Sequence, residues 1–485
     1  MNAVQQSSRA HQRRIHPFVV ITALWVYAAA PAAQTTAPVG TYQRPFSAQS
    51  PWNSKPVNPV LGDASIPADE FSPSIHNGDY SLGVFQASSG GTTVVVRGTD
   101  DARGIWNADA EAFQPSVSIA RWPTGVVPAA GADGHADIID ATSGIVHSFW
   151  QLRSVNGQWR ATQYSWSPLR GRGWGSPTHY SQGARASGVP AGAGLIRKHE
   201  VNDGDTQYRH ALAMSLTYSG LAANPSLTFP ATLSDGDSAR TNFGSIPMGS
   251  LLMLPASFDS ASITHPQLRK IVETLKTYGA YVVDRNHGTP FVIYAETGSD
   301  LTFHRNGWDS QLAADLDRIR AELRPVKQAE GWVDANGQMF TPQQDGFNLL
   351  SMRGAWVTLY GTNTSKYNTW TQKLHFPYNA PVAQIAAFGK NILAQTPWAK
   401  PIGGRTYTFQ ANTSGGATAR LVLTHCNDTA RSVDTGYLQG TGSHTFVWPE
   451  ALCSMKFEVL LAKKPTSSTG ATVGSHIRLT GATPQ

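Results

Sequence analysis

Residues 266–284 read PQLRKIVETLKTYGAYVVD and contain a clear transition from a helix to a strand. The apolar side chains that share one helical face are Leu268, Ile271, Val272, Leu275 and Tyr278. Gly279 stands where a left-handed cap would end the helix, because glycine adopts a positive φ without steric cost. Residues 280–284 then predict a buried strand. The stretch therefore predicts a sheet with a helix packed against it.

The flanking sequence predicts many strands and one more helix. The second helix is predicted to begin at Asp309 or Ser310 and to stop before Pro325. Further runs of β type are residues 92–97, 136–140, 145–152, 158–164, 280–284 and 290–296, the last two read as paired strands. Asn156-Gly157 predicts a tight hairpin turn between residues 144–151 and 158–160. Sheets with a few covering helices fit this pattern better than a βα repeat.

The helical pattern stops after residue 330, which predicts a domain boundary there. The predicted fold class is mainly β, with a β-sandwich or jelly-roll-like N-terminal domain over residues 41–330 and a C-terminal β-sandwich over residues 331–485. Cys426 and Cys453, which are the only cysteines, are predicted to form a disulfide. For the second domain, a carbohydrate-binding accessory role and a purely structural role stay open.

Residues 1–33 have the pattern of a secretory signal peptide. Three arginines precede an apolar run from Phe18 to Ala30, and Ala30-Pro31-Ala32 predicts cleavage near Ala32. The protein is therefore expected to be secreted or periplasmic. Without these residues the chain keeps 35 basic and 32 acidic residues, a formal charge of +3. Such a small surplus gives no reason to expect a nucleic-acid partner, and no later segment is long and apolar enough to span a membrane.

The composition favours a protein that meets sugars. Only 14% of the residues are charged, against roughly 25% in typical soluble domains, while the chain has 14 tryptophans and 45 glycines. Aromatic rings can stack on the C–H faces of sugars, and small polar side chains can bond to hydroxyls. Motifs of serine hydrolases, phosphate-binding loops and dinucleotide sites are absent from the sequence. We therefore expect a polysaccharide or oligosaccharide substrate for a monomeric protein.

Three polar stretches of the first domain contain the candidate site residues. In residues 131–140, GADGHADIID, His135 and Asp137 alternate on one face of a predicted strand, and Asp133 precedes them. Residues 197–212 bring together Arg197, Glu200 and His210. A third group consists of Asp235, Tyr278 and Asp284. Each stretch also has a plain structural reading: a strand cap for the first, a solvated charged loop for the second, and a turn or core residues for the third.

Aromatic residues recur near these stretches, with Trp150, Trp159, Trp166 and Trp174 as the candidate sugar platforms. Those that are fully buried would lose this role. His199-Glu200 and the distant His210 do not match the helical His-Glu-x-x-His spacing of zinc proteases. The sequence accordingly predicts no metal and no cofactor, and a structural calcium ion at a loop stays open.

Several motifs in order resemble a group of secreted bacterial β-rich proteins. The matching segments are Ser50-Pro51-Trp52-Asn53, Asp133-Gly134-His135, Phe149-Trp150-Gln151, His210-Ala211-Leu212 and residues 275–284. The resemblance covers about residues 45–300. It implies that one site contains Asp133, His135, Trp150, Gln151, Glu200, His210, Asp235 and Asp284.

Three functions are compatible with these residues. A glycoside hydrolase would use Glu200 as proton donor or nucleophile, with Asp133 or Asp235 as its partner. A polysaccharide lyase would abstract a proton with His210 or Tyr278, while Arg197 neutralises a uronic carboxylate. A non-catalytic protein would use the same groups only to bind a glycan. The first is the leading hypothesis.

Overall fold

The structure is a computed structural model that describes residue 1 and residues 37–301, 303–304, 307–359, 367–369, 371–387, 392–394 and 396–485. The predicted signal peptide therefore lies outside the described residues, apart from Met1. Within the described residues, no helix combines the length and the apolar character needed to cross a membrane.

Residues 55–340 contain the strands and helices that build the first part of the fold. Strands β1 to β20 span Lys55–Val57, Val60–Leu61, Ser74–His76, Gly83–Gln86, Val94–Gly98, Ile105–Asn107, Ala112–Gln114, Ser116–Ile119, Ala136–Asp140, Ile145–Trp150, Arg153–Val155, Gln158–Ala161, Gln163–Pro168, Leu212–Leu216, Leu251–Met253, Ala280–Arg285, Phe291–Tyr294, Arg324–Gln328, Gly331–Val333 and Met339–Phe340. Helices α1 to α3 span Ser238–Thr241, Pro266–Thr277 and Ser310–Glu322.

Residues 354–479 contain the remaining strands. Strands β21 to β30 span Gly354–Thr358, Tyr367–Thr369, Leu374–Phe376, Ala383–Ala387, Thr406–Ser414, Ala417–His425, Val433–Asp434, Ser443–Val447, Leu452–Leu461 and Ala471–Leu479. They form a six-stranded sheet, β22-β21-β24-β29-β26-β27, and a four-stranded sheet, β23-β30-β25-β28. The two sheets enclose one apolar core, and Cys426 and Cys453 form the predicted disulfide. The C-terminal sandwich and the mainly β fold class are confirmed.

The first part of the chain stacks three sheets and a helical layer. A seven-stranded sheet has the order β2-β18-β15-β16-β14-β17-β3, a six-stranded sheet β4-β9-β10-β13-β6-β7, and a four-stranded sheet β11-β12-β5-β8. Helices α2 and α3 pack on the outer face of the seven-stranded sheet. Its inner face packs on the six-stranded sheet, whose other face packs on the four-stranded sheet.

Strands buried on both faces connect these layers. In β9 the side chain of Ile138 lies in the core shared with the four-stranded sheet, and Ile139 lies in the core shared with the seven-stranded sheet. In β14, Met214 faces the helices while Ala213 faces the six-stranded sheet. Successive side chains of a strand point to opposite faces, so each such strand contributes to two cores.

Both predicted helices form almost where the sequence placed them. Helix α2 ends at Thr277, and Gly279 has a φ of +73°. In α3 the side chain of Asp309 accepts a hydrogen bond from the backbone N–H of Leu312, as an N-cap residue does. The predicted helix boundaries are therefore confirmed to within one residue at these ends.

Two predicted strand pairings are wrong. The turn at Asn156-Gly157 exists, with φ of 51° and 77°, but it joins β11 to β12. Strand β10 pairs with β9 and β13 instead, because Gln151 has a φ of 56° and turns the chain away after Trp150. Strands β16 and β17 are also not paired with each other, since β14 lies between them.

Strands β19 and β20 begin after the predicted boundary at residue 331, yet they belong to the first part of the fold. They form a three-stranded sheet with β1, in which Pro56 is paired with Trp332. Trp332 also packs against the core between the six- and seven-stranded sheets. The apolar core of the C-terminal sandwich begins at Leu349.

The Gly279 turn provides a stability test. A Cβ at this position would lie 2.7 Å from the backbone oxygen of Leu252, and its positive φ disfavours any L side chain. We expect Gly279→Ala to lower the free energy of unfolding by about 1–3 kcal/mol in urea titrations. Gly90→Ala is the control, because a Cβ at Gly90 would meet no atom within 4 Å and the residue has no positive φ. Equal effects of the two substitutions would contradict this prediction.

Candidate functional site

The space between the six- and seven-stranded sheets changes from apolar to polar along the strands. On β10, Val146 lies in the shared core, Ser148 donates a hydrogen bond to Asp137, and Trp150 lines a cavity. On β14, Ala213 lies in the core and Ser215 lines the same cavity. The cavity is therefore a continuation of the buried layer between two sheets, with walls from both.

The cavity has a volume of about 1200 Å³. Its chemistry comes from carboxylates, histidines, arginines and aromatic rings on both sheets and on the loops between them. The charged and histidine side chains are His76, Glu111, Asp133, His135, Arg185, Asp235, Asp284, Arg285 and His287. The aromatic side chains are Phe71, Tyr80, Trp106, Trp150, Tyr180, Tyr218 and Tyr294.

Asp284 lies near the end of β16 and is held by two donors. The Arg185 guanidinium donates to its Oδ2 at 3.1 Å, and the backbone N–H of Arg285 donates to its Oδ1 at 3.0 Å. Burial raises the pKa of Asp284, while Arg185 acts in the opposite direction. Arg185 is itself only 4% exposed and lies 3.9 Å from the ring centre of Tyr294. The aspartate and the arginine thus fix each other inside the wall of the cavity.

Asp235 approaches the cavity from the loop before α1. Its Oδ2 is buried and has no hydrogen-bond partner among the described residues, since Nε of Arg285 lies 3.8 Å away. Burial and then repulsion from Asp284 raise the pKa of Asp235 to about 6. Asp235 is therefore a carboxyl group that can hold a proton under mildly acidic conditions and release it near neutral pH.

Asp133 and His135 enter the cavity from the segment before β9. Oδ1 of Asp133 accepts a hydrogen bond from Nε1 of Trp150 at 3.1 Å, which fixes the indole and the carboxylate relative to each other. Burial, and then the nearby charge of Arg185, keep the pKa of His135 well below 6.5. The ring of His135 is therefore neutral. One of its nitrogens bonds to the backbone of Phe149, and its Nδ1 is buried without a hydrogen-bond partner among the described residues.

Asp137 is the second residue of β9 and is not among the described residues that line the cavity. Its Oδ1 accepts from Ser148 at 2.6 Å and its Oδ2 accepts from the backbone N–H of Gly192 at 2.7 Å. Asp137 is 1% exposed, and burial raises its pKa. The predicted sugar-binding role of Asp137 is therefore replaced by a structural one. Gln151 likewise accepts a hydrogen bond from Thr162 at 2.6 Å and is not among the described lining residues.

Glu200 and His210 form a half-buried pair outside the described lining of the cavity. Nε2 of His210 lies 3.2 Å from Oε2 of Glu200, and the same carboxylate accepts from the backbone N–H of Arg197 at 2.9 Å. Nδ1 of His210 faces the backbone oxygen of Ala211 at 2.9 Å. The 3₁₀ turn at residues 198–200 places the carboxylate of Glu200 beside His210, whereas Asp133 and Asp235, its predicted partners, line the cavity.

Arg197 and Tyr278 also lie outside the described lining. Nε of Arg197 donates to Glu296 at 3.0 Å, and its guanidinium lies 4.7 Å from the ring centre of Tyr42. Tyr278 is the C-cap of α2, with the ammonium group of Lys55 at 5.8 Å from its ring centre. Neither residue is placed to contact a ligand in the cavity.

The four tryptophans predicted as sugar platforms lie in different environments. Trp174 is fully buried and stacks on Trp52 at 5.1 Å, so it has no sugar-binding role. Trp159 packs against Trp122 at 5.0 Å, and Nε1 of Trp166 donates to Asp109 at 2.9 Å. Of the four, Trp150 is the one in the described lining of the cavity.

Sequence reasoning missed several lining residues: His76, Trp106, Arg185, Tyr294 and Arg285. Arg185 lies in a glycine- and alanine-rich loop without any motif. Tyr294 was read only as part of a strand. Trp106 lies in a strand of three residues and belongs to no motif. Its only sequence signal is that it is a tryptophan near other aromatic residues, which could have marked it as a sugar platform. Among the described residues, no group of three or more His, Cys, Asp or Glu side chains is arranged to hold a metal ion.

Comparisons with known proteins found only distant likenesses. No family model and no curated protein matches the chain. The "Family 16 Carbohydrate Binding Module-2" is 15% identical, with 25% of this chain and 79% of that chain covered and a TM-score of 0.14. A mutant Xylanase10C from Cellvibrio japonicus in complex with xylopentaose is 13% identical, with 27% and 28% covered and a TM-score of 0.15.

A third likeness is to a Glycosylation Associate Protein complex from Streptococcus agalactiae, which is 9% identical, with 26% of this chain and 45% of that chain covered and a TM-score of 0.14. Similarities with TM-scores this low carry no argument about substrate or activity.

The Glu200–His210 pair predicts a pH window of stability. The pKa of Glu200 is lowered to about 2, so its contribution is present above 4.5 and is lost as the pH falls towards 2. The pKa of His210 is raised, so its contribution is present below 6.5 and is lost as the pH rises through the raised value. The pair should stabilise the fold most between pH 4.5 and 6.5.

We expect Glu200→Gln to lower the free energy of unfolding by about 3 kcal/mol within that window, because it breaks a buried ion pair. Thermal unfolding between pH 4 and 8 measures the effect. Asp205→Asn is the control, since Asp205 pairs with Arg209 at the surface and should change stability little. A Glu200→Gln profile parallel to that of the unmodified protein would disprove the prediction.

Proposed function

We propose that the protein is a glycan-degrading enzyme, a glycoside hydrolase whose paired carboxyl groups are Asp235 and Asp284. The observation that supports this is that two half-buried aspartates, whose charges repel each other, line one cavity of about 1200 Å³ that also contains Trp106 and Trp150. Glycoside hydrolysis requires one carboxyl group to donate a proton to the leaving oxygen and a second to act as base or nucleophile.

Asp235 has the properties of the proton donor. Its pKa of about 6 leaves it protonated in mildly acidic solution, and its Oδ2 makes no hydrogen bond to the described residues. A donor that is not already bonded can direct its proton to a glycosidic oxygen. General acid catalysis of this kind contributes roughly 10²–10⁴-fold to a rate.

We assign the role of ionised partner to Asp284. Burial raises its pKa, but two N–H donors, from Arg185 and from its own neighbour Arg285, act in the opposite direction and stabilise a negative charge on its oxygens. A carboxylate that is held in this way has a fixed direction of approach to a sugar ring or to a water molecule. Asp133 lies close enough to raise the pKa of Asp284, and through Trp150 it is positioned to bond sugar hydroxyls.

The charges in the cavity favour a neutral glycan over a polyanion. The described lining includes four carboxyl groups, Glu111, Asp133, Asp235 and Asp284, and two arginines. Arg185 is paired with Asp284, and Arg285 is paired with Asp235 and Asp237. A lyase needs a cation available to neutralise a uronic carboxylate, so the lyase hypothesis has less support than hydrolysis.

We expect Asp235→Asn to lower kcat by about 10²–10⁴-fold while leaving binding nearly intact, because the amide cannot donate the catalytic proton but keeps the shape of the side chain. Release of reducing ends from xylan, mixed-linkage glucan, mannan, arabinan, alginate and pectate measures turnover, and absorbance of unsaturated products reports lyase activity. Asp63→Asn is the matched control, since Asp63 is a fully exposed aspartate outside the cavity.

Reducing ends that appear from a neutral polysaccharide and depend on Asp235 would support the proposal. Unsaturated products from alginate or pectate would replace it with a lyase. Binding without any turnover across the panel would replace it with a glycan-binding function.

The pH dependence gives a separate prediction. Since the proton donor must be protonated, kcat/KM should be highest below pH 6 and should fall about tenfold per pH unit above it. Rates measured between pH 4.5 and 8.5 test this. The residual activity of Asp235→Asn should lack the alkaline limb, and a flat profile of the unmodified enzyme from pH 5 to 8 would remove Asp235 from the role of acid.

A further inference from the structure

Three cavity-lining side chains lie in one row across three neighbouring strands of the six-stranded sheet. Trp150 of β10 is paired with Gln163 of β13, and Gln163 is paired with Trp106 of β6. Residues paired across neighbouring strands project to the same face of the sheet. All three side chains are half-buried and line the cavity.

The spacing of this row is set by the sheet itself. Neighbouring strands lie about 4.8 Å apart, so the two tryptophans are separated by two strand spacings, roughly 10 Å. Consecutive rings of an extended oligosaccharide are about half that distance apart, so this separation suits the first and third of three consecutive rings, each over one indole. The amide of Gln163 lies between them, and its Nε2 donates a long hydrogen bond of 3.4 Å to the hydroxyl of Ser165.

The two indoles are held in defined orientations. Nε1 of Trp150 donates to Asp133 at 3.1 Å. Trp106 packs edge-on against Phe113, with ring centres 5.0 Å apart. An aromatic platform that is already fixed loses little conformational entropy when a sugar ring stacks on it.

We propose that Trp150, Gln163 and Trp106 form a trisaccharide-binding platform for a neutral oligosaccharide, with the first and third sugar rings stacked on the two indoles and Gln163 bonding to hydroxyls of the ring between them. This inference rests on the proposed glycan substrate and adds the number and arrangement of the bound sugar rings. The Trp150 ring lies beside Asp133, so it holds the sugar nearer to the carboxylates. The Trp106 ring holds the sugar two positions further along the chain.

Binding to the Asp235→Asn variant tests the platform without turnover. The probes are xylo-, cello-, manno- and arabino-oligosaccharides of one to four residues, measured by calorimetry and by quenching of tryptophan fluorescence. For the oligosaccharide series that binds, we expect the affinity to rise from the disaccharide to the trisaccharide, which is the shortest probe that reaches both indoles. Trp106→Ala in the same background should lower trisaccharide affinity about tenfold and leave disaccharide affinity nearly unchanged. Trp150→Ala should weaken both.

Trp308→Ala is the matched control, because Trp308 is 68% exposed, stacks on His304 and is not among the described lining residues. Trp106→Phe keeps an aromatic ring and should retain most of the affinity, so it separates loss of stacking from loss of folding. Circular dichroism of each variant provides the check on folding.

The experiments can contradict the platform proposal and the hydrolase proposal independently of each other. Binding that follows the predicted pattern without cleavage of any glycan would leave the platform in place and remove the hydrolase. Cleavage with trisaccharide affinity unchanged by Trp106→Ala would overturn the platform alone. Affinity that does not rise from two sugar residues to three, or no binding by any probe, would also overturn the platform.

Discussion

The fold depends on strands that are buried on both faces. Strands β9 and β14 have every residue buried, so each side chain must fit either the layer above or the layer below. This constraint ties the helical layer and three sheets into one stack, since a shift of one residue in β14 would exchange Met214 with Ala213 between two cores. It also means that a polar side chain on the inner face must either form hydrogen bonds within the layer or line a cavity.

Both cases occur in the layer between the six-stranded and the seven-stranded sheet. Asp137 accepts two hydrogen bonds and closes the space around itself. Further along the strands, Arg185 satisfies Asp284 with one nitrogen and covers the ring of Tyr294. Asp235 lacks such a bond at Oδ2, and burial followed by repulsion from Asp284 raises its pKa to about 6. Asp137 is thus tied to the protein through both carboxylate oxygens, whereas Asp235 keeps one oxygen without a hydrogen bond to the described residues.

The sequence predicted well what depends on local rules. The ends of α2 and α3 follow from Gly279 and Asp309, and the disulfide follows from two cysteines in one domain. Strand pairing was harder to predict from the sequence, because the position of β14 between β16 and β17 depends on contacts between distant segments.

The residues of the candidate site were harder still to predict. Glu200 and His210 had the most suggestive local pattern, yet they bond to each other, while Arg185 has no local pattern and lies in the cavity wall.

The C-terminal sandwich is held against the loops that carry the site. Nε1 of Trp398 donates to the backbone oxygen of Ala231 at 2.7 Å, a few residues before Asp235. Nε2 of Gln372 donates to the backbone oxygen of Thr178 at 2.8 Å, in the segment that leads to Arg185. Moving either loop would break a hydrogen bond to the sandwich. The C-terminal sandwich, bonded at these two points, restricts the positions of both Asp235 and the arginine that orients Asp284, so its contacts act on the geometry of the carboxyl pair.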